Sequence, residues 1–131
     1  CPLFVPLVEE GWVNDSITKD VASKYLKEFS NYNIDTLVLG CTHYPLLREI
    51  IALELGKEVE LVNPAYETAK TLNNVLENKN IKSKTLNGKH EFYVSDGVDK
   101  FNNFADGILP HYLKEAKEIN IDEYSDSISK E

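Results

Sequence analysis

The spacing between hydrophobic residues changes several times along the chain. Residues 3–8 form a continuous apolar run interrupted by Pro6, which predicts an edge strand or an extended loop. The next apolar residues recur at helical spacing and predict an amphipathic helix over 16–31, with Asp15 or Ser16 as its N-cap. That apolar stripe comprises Ile17, Val21, Tyr25, Leu26 and Phe29.

Short apolar segments and helical patterns alternate over the rest of the chain. Strands are predicted at 36–39, 59–62 and 91–95, helices at 45–55, 66–78 and 98–118, a loop at 79–89 and an aperiodic tail at 119–131. The first strand is apolar throughout, which is typical of a strand buried on both faces. The helix at 66–78 is expected to face inward through Ala69, Leu72, Val75 and Leu76, and Pro110 is expected to break or kink the last helix. This alternation predicts an α/β fold, a parallel sheet flanked by helices.

Composition and net charge limit the kinds of molecule that the protein is expected to bind. The 131 residues hold 14 basic and 22 acidic side chains, for a net charge of −8, and the acidic tail contributes much of it. An acidic chain lacks the basic face that a nucleic-acid-binding protein needs, and no apolar run is long enough for a membrane helix. Two cysteines are too few for a disulfide framework and favour a reducing cytoplasm. Because the chain begins at Cys1 and contains no Met, we expect a fragment of a longer protein.

The turn from Gly40 to Pro45 carries the strongest chemical signal. It follows a predicted strand and opens a predicted helix, the place where open α/β sheets bind ligands. Helix-start N–H groups and a nearby imidazole would favour the thiolate form of Cys41, with His43 assisting. Gly40 would let the backbone turn sharply, and the Thr42 hydroxyl would bind polar groups of a ligand.

Other interpretations of these residues stay open at this point. Cys41 is equally well explained as a small buried residue and His43 as a hydrogen-bonded polar one. A zinc site would need more ligands at metal-like spacing than the chain offers, so no metal is predicted. Glu9 and Glu10 follow the first apolar run; they suit either two solvated acids or a carboxylate that orients a histidine.

Two stretches resemble the glutamate racemases, of the aspartate/glutamate racemase superfamily. They are residues 1–11 (CPLFVPLVEEG) and 39–47 (LGCTHYPLL), and the segments at 59–64 and 91–97 resemble the family's C-terminal part as well. The resemblance extends from residue 1 to about residue 117. It implies a cofactor-independent isomerase that supplies D-glutamate for peptidoglycan, and hence for cell-wall biogenesis and cell shape.

The resemblance also implies roles for individual residues. Cys41 corresponds to the second of two catalytic thiols, His43 to the histidine that assists it, and Thr42 to a residue that binds the substrate. Glu9 corresponds to the acidic residue that supports the histidine, with Glu10 as the neighbouring alternative. The first catalytic thiol has no counterpart here, so the chain alone is expected to be inactive.

The family's two-lobed architecture gives the expected domains. Residues 1–65 would form part of the second lobe, residues 66–117 a segment that returns to the first lobe, and residues 118–131 an acidic tail. Alternatives to the glutamate racemase hypothesis are an aspartate or related amino-acid racemase, a one-thiol acyl-transfer enzyme, and a non-catalytic binding or assembly domain. Uncovered apolar faces would favour a homodimer.

Overall fold

The computed structural model describes residues 1–85, 88–108 and 115–123. The chain forms two compact units, residues 1–83 and residues 84–131. Each unit contains a pair of parallel strands and at least one helix, which confirms the predicted α/β class. The division into residues 1–65 and 66–117 stays a prediction.

The first apolar run is a helix, so the predicted strand or extended loop is wrong. Helix α1 spans Phe4–Glu9. Phe4, Leu7 and Val8 are buried, and their spacing of three and four residues is helical. Pro6 lies in the first turn, where a helix tolerates proline because those N–H groups have no partner within the helix.

The predicted helix over 16–31 is confirmed, with a change of winding near its end. Helix α2 spans Ser16–Leu26 and continues as a 3₁₀ helix over Lys27–Asn31. The Asp15 side chain accepts a hydrogen bond from the Ile17 N–H at 2.8 Å, as expected of an N-cap. The buried face differs from the predicted stripe, because it consists of Thr18, Ala22 and Leu26 while Ile17 is half exposed.

Two parallel strands form the sheet of this unit. Strand β1 (Thr36–Val38) pairs with β2 (Glu60–Val62). Between them lie a 3₁₀ helix, Tyr44–Leu47, and helix α3, Arg48–Leu55, which ends at Gly56 as predicted. Burial of β1 on both faces is wrong, because Thr36 and Val38, which share one face of the strand, are exposed, Val38 to 58%.

Helix α4 begins earlier than predicted and does not face inward. It spans Pro64–Asn78, and the Asn63 side chain caps it by accepting from the Ala65 N–H at 3.0 Å. None of its described side chains is buried, and Leu72 is 55% exposed. The prediction that four residues of this helix face inward is therefore wrong in this chain. Periodicity shows that a helix has an apolar face, but it does not show that another element covers that face.

The core of the first unit lies between α1, α2 and α3 and the inner face of the sheet. Its fully buried large side chains are Phe4, Val8, Leu39, Leu47, Ile50 and Ile51. Thr18 is buried among them, and its hydroxyl donates to the Trp12 carbonyl at 2.5 Å. This bond ties α2 to the chain that follows α1.

The second unit repeats the strand–helix–strand order. Strand β3 (Phe92–Val94) leads through Gly97 into helix α5 (Val98–Asp106), and β4 (Ala116–Glu118) pairs with β3 in parallel. The predicted helix over 98–118 is thus wrong at 116–118. Pro110 and His111 lie outside the described residues.

Among the described parts of the chain, we find no helix with the length and apolarity needed to cross a membrane.

Candidate active site

The turn at 40–43 is fixed by the end of β1. The Leu39 N–H donates to the Val62 carbonyl at 2.9 Å, which extends the pairing with β2 by one residue. The Gly40 N–H then donates to Val38 and the Cys41 N–H to Leu39, at 3.0 and 2.9 Å. Since Leu39 is buried, this backbone holds the partly exposed Cys41 at the carboxyl end of the sheet.

The helical segment that follows begins as a 3₁₀ helix at Tyr44, and the α-helix predicted from residue 45 begins only at Arg48. His43 is the N-cap of the 3₁₀ helix, so Cys41 lies two residues before the cap. Its N–H is already bonded to Leu39 and is not one of the free donors of a helix start. Gly40 is outside the left-handed region, and a Cβ there would meet open space. The sharp turn therefore does not need glycine for its conformation.

Glu9 reaches the site because α1 ends in a closed, hydrogen-bonded turn. Gly11 has a φ of 77°; its N–H donates to Val8 at 3.0 Å, and the Trp12 N–H donates to Leu7 at 2.9 Å. These two bonds form a Schellman motif, in which the left-handed residue is usually glycine. Glu9 is therefore in the last helical turn, at a position that the backbone defines.

Three of the predicted site residues come together around the imidazole of His43. A Glu9 carboxylate oxygen, Oε1, lies 3.7 Å from His43 Nε2, and Thr42 Oγ1 lies 3.1 Å from His43 Nδ1. The first distance is that of an ion pair and is too long for a direct hydrogen bond. Of the two acidic candidates, the structure pairs Glu9 with His43.

This arrangement defines what each ring nitrogen does. An ionised carboxylate only accepts, so the Glu9 side favours a proton on Nε2 of His43. In the neutral ring, Nδ1 is then an acceptor, and the Thr42 hydroxyl donates to it. In the imidazolium, Nδ1–H donates to Thr42 Oγ1, which frees the hydroxyl proton for another acceptor. The direction of the Thr42 hydrogen bond therefore depends on whether Nδ1 of His43 carries a proton.

The electrostatics of α1 reinforce the Glu9–His43 pair. Glu9 and Glu10 both lie at the carboxyl end of the helix, whose last turn has no basic residue. A helix carboxyl end carries partial negative charge, which adds to that of the carboxylates. Negative charge is therefore concentrated at the end of α1 that lies against His43.

A groove of about 950 Å³ lies where β2 meets α4, and none of Glu9, Cys41, Thr42 and His43 lines it. Its lining includes Pro45, Arg48, Asn63 and Tyr66. The Arg48 side chain donates from Nη1 to the Leu61 carbonyl at 2.7 Å. Within the described residues, no group of three metal-binding side chains converges.

Sequence reasoning missed two features that organise the site. One is the Schellman motif at Gly11, whose signal was a glycine directly after a run with Leu7 and Val8 in helical register. The other is a cluster of aromatic rings around Phe4, which no local pattern indicates because its members lie on three separate elements.

No family model matches the chain. The curated relatives and the solved structures that it resembles agree with each other. The glutamate racemase of Thermoanaerobacter sp. (strain X514) is 40% identical over 124 residues, which cover 95% of this chain and 47% of that protein. The chain thus spans about half the length of the curated relatives it matches.

Solved structures give the same result for the fold. Glutamate racemase from Francisella tularensis subsp. tularensis SCHU S4, solved in complex with D-glutamate, matches with a TM-score of 0.83 and 36% identity, over 93% of this chain and 46% of that one. The Thermus thermophilus enzyme, in complex with beta-chloro-D-alanine, gives 0.84 and 31%, over 94% and 47%. The predicted resemblance is confirmed: this chain is similar in sequence and in α/β fold to the C-terminal portion of the glutamate racemases.

Proposed function

We propose that this chain supplies one half of the active site of a cofactor-independent glutamate racemase. The observation that carries the proposal is the convergence of Glu9 and Thr42 on the two nitrogens of His43, two residues after Cys41. The similarity of the chain to glutamate racemases supports glutamate as the substrate, and the D-glutamate bound to the Francisella relative points the same way. An aspartate racemase is the alternative within the same chemistry.

In the proposed reaction, Cys41 exchanges a proton with one face of the substrate α-carbon. The thiolate sulfur takes the α-proton, so an S–H bond forms as the Cα–H bond breaks, and the electron pair moves into the adjacent carboxylate. A second thiol, from the part of the enzyme that this chain does not span, then delivers a proton to the opposite face. In the reverse direction the two thiols exchange roles.

His43 and its partners assist the protonation change of Cys41 in this proposal. A proton held on the imidazole stabilises the thiolate by charge, and Glu9 stabilises that imidazolium in turn. Once the ring is charged, the Thr42 hydroxyl proton is free to bind a substrate carboxylate oxygen. Substrate binding and thiol activation would then depend on the same protonation of His43.

The biological setting follows from the same proposal. D-glutamate is a building block of peptidoglycan, which would place the protein in cell-wall biogenesis and the maintenance of cell shape. We propose the cytoplasm as the compartment, since the free thiols suit a reducing environment. A homodimer is a further proposal, based on apolar side chains that α4 leaves exposed, such as Leu72.

The test is a hybrid enzyme. The N-terminal portion of the Thermoanaerobacter relative is joined to this chain, and D-glutamate formation from L-glutamate is followed by chiral chromatography. We expect the hybrid to racemise glutamate and this chain alone not to. Cys41→Ala should abolish racemisation, while the matched variant Cys1→Ala should retain it. In D₂O, active hybrid should also incorporate deuterium at the α-carbon.

Two results would contradict the proposal. Racemisation by this chain alone, retained in its Cys1→Ala variant, would show that one thiol suffices. Equal activity of the Cys41→Ala and Cys1→Ala hybrids would show that Cys41 is not the base. Preference of the active hybrid for aspartate over glutamate would instead support the alternative substrate.

A further inference from the structure

We propose that the ring of Phe4, held between Tyr25 and Tyr44, positions Glu9 against His43. This inference rests on the proposed function only in assuming that the Glu9–His43 pair assists Cys41. None of the three aromatic residues touches the proton that is transferred, so their role is to position other groups. The cluster connects the two elements from which Glu9 and His43 project.

The geometry of the cluster is symmetric about Phe4. The ring centroids of Tyr25 and Tyr44 each lie 5.5 Å from that of Phe4, at interplanar angles of 81° and 86°. These are edge-to-face contacts, the arrangement that aromatic rings prefer. Phe4 is only 1% exposed, so its ring has little freedom to rotate or shift between the two tyrosines.

Both tyrosines also hold the start of α1 through their hydroxyl groups. The Leu3 N–H donates to Tyr25 Oη at 3.4 Å, and the Tyr44 hydroxyl donates to the Cys1 carbonyl at 3.3 Å. The N-cap residue of α1 makes no side-chain capping bond. The two tyrosines therefore add to the backbone bond from the Phe4 N–H to the Cys1 carbonyl in holding the amino end of this six-residue helix.

The connection to the active site is direct in sequence. Tyr44 follows His43 immediately, so its ring contact fixes the backbone that presents the imidazole. Phe4 opens the same helix that Glu9 closes, and the Schellman motif at Gly11 makes the far end equally rigid. The 3.7 Å separation of Glu9 and His43 thus depends on how Phe4 packs on Tyr44.

The experiment measures how strongly the Glu9 side chain affects the NMR resonances of the His43 ring. The ¹⁵N and ¹H resonances of the His43 ring are recorded in this chain, with and without Glu9→Gln, and the shift caused by that substitution is the response. In the Phe4→Leu background we expect the response to fall by about twofold or more, because coupling between sites is lost when their geometry loosens. The His90 and His111 rings serve as internal controls.

Conservative changes separate positioning from general loss of structure. Tyr44→Phe keeps the ring contact and should retain most of the response, whereas Tyr44→Leu should lose it as Phe4→Leu does. Trp12 fluorescence during urea unfolding shows which variants are folded, and Tyr44→Leu keeps the test valid if Phe4→Leu does not fold. Tyr44 is partly exposed, so its truncation opens a smaller cavity.

The outcomes distinguish this inference from the proposed function. A full response in folded Phe4→Leu and Tyr44→Leu would overturn the positioning role, even if the hybrid enzyme racemises glutamate. The His43 response could instead depend on Phe4 while the hybrid enzyme fails to racemise glutamate. That result would support the positioning role and contradict the proposed function.

Discussion

Replacement of Gly11 by alanine tests the turn that closes the helix carrying Glu9. The φ of 77° at Gly11 places an L-residue in the left-handed region, at a cost of about 1–2 kcal/mol. A Cβ there would meet no atom within 4 Å, so the cost arises from the backbone and not from a steric clash. We expect Gly11→Ala to lower the free energy of unfolding by about 1 kcal/mol, after the smaller entropy of the unfolded alanine chain is taken into account.

Gly40 offers a matched control at the other side of the site. A Cβ there also meets open space, but its φ is outside the left-handed region. Gly40→Ala should therefore leave the stability unchanged or raise it by about 0.4–1 kcal/mol. Gly11→Asn should recover part of the loss, since asparagine adopts the left-handed region more readily than alanine.

The assay is urea unfolding followed by the fluorescence of Trp12, the single tryptophan. This residue belongs to the Schellman motif and so reports on the first unit. With a slope of about 1–2 kcal/mol per molar urea, a loss of about 1 kcal/mol lowers the midpoint by about 0.5–1 M. If Gly11→Ala and Gly40→Ala have the same midpoint, the positive φ at Gly11 does not constrain the turn and the reasoning fails.

Two further predictions concern side-chain bonds in the first unit. Thr18→Val leaves the Trp12 carbonyl without its 2.5 Å donor and should cost about 1–3 kcal/mol of unfolding free energy, whereas Thr18→Ser keeps the donor; equal urea midpoints for both would contradict this. The Lys82 ammonium, which donates to Glu77 at 2.6 Å, holds the pKa of that carboxyl below its ordinary value. The pair therefore stabilises the fold above the ordinary carboxyl pKa, and this is lost as pH falls through the lowered value. Lys82→Gln should raise the pKa of Glu77 in an NMR titration more than Lys79→Gln does; equal effects would refute the assigned cause.

Periodicity located most of the elements, because their burial follows one face. The helix over 16–31 and the strands near 36–39, 59–62 and 91–95 were predictable from spacing and capping residues. Which faces of these elements are buried was not predictable from the sequence. Val38 and Leu72 are apolar and exposed, because no neighbouring element among the described residues covers them. A pattern shows that a face is apolar, but which segment packs on it depends on the tertiary fold.

The candidate site was predictable in its residues but not in its geometry. The segment 39–47 identified Cys41, Thr42 and His43 through a family resemblance, and a motif match carries the identity of side chains. It does not show in which direction the side chains of a neighbouring helix point. The choice between Glu9 and Glu10 required the direction of α1, in which consecutive side chains differ by about 100°.

The position of Glu9 illustrates how a local conflict can indicate function. A carboxylate in the last turn of a helix faces the negative end of the helix dipole, which costs about 0.3–1 kcal/mol. Helix α1 has two such acids and no basic residue in that turn. Local preference disfavours this choice, and the side chain that lies against Glu9 is the His43 imidazole of a distant turn, 3.7 Å away. Because sequences generally satisfy local rules except where a site requires otherwise, an acid in this turn that lies against an imidazole is the kind of local conflict that the proposed site would explain.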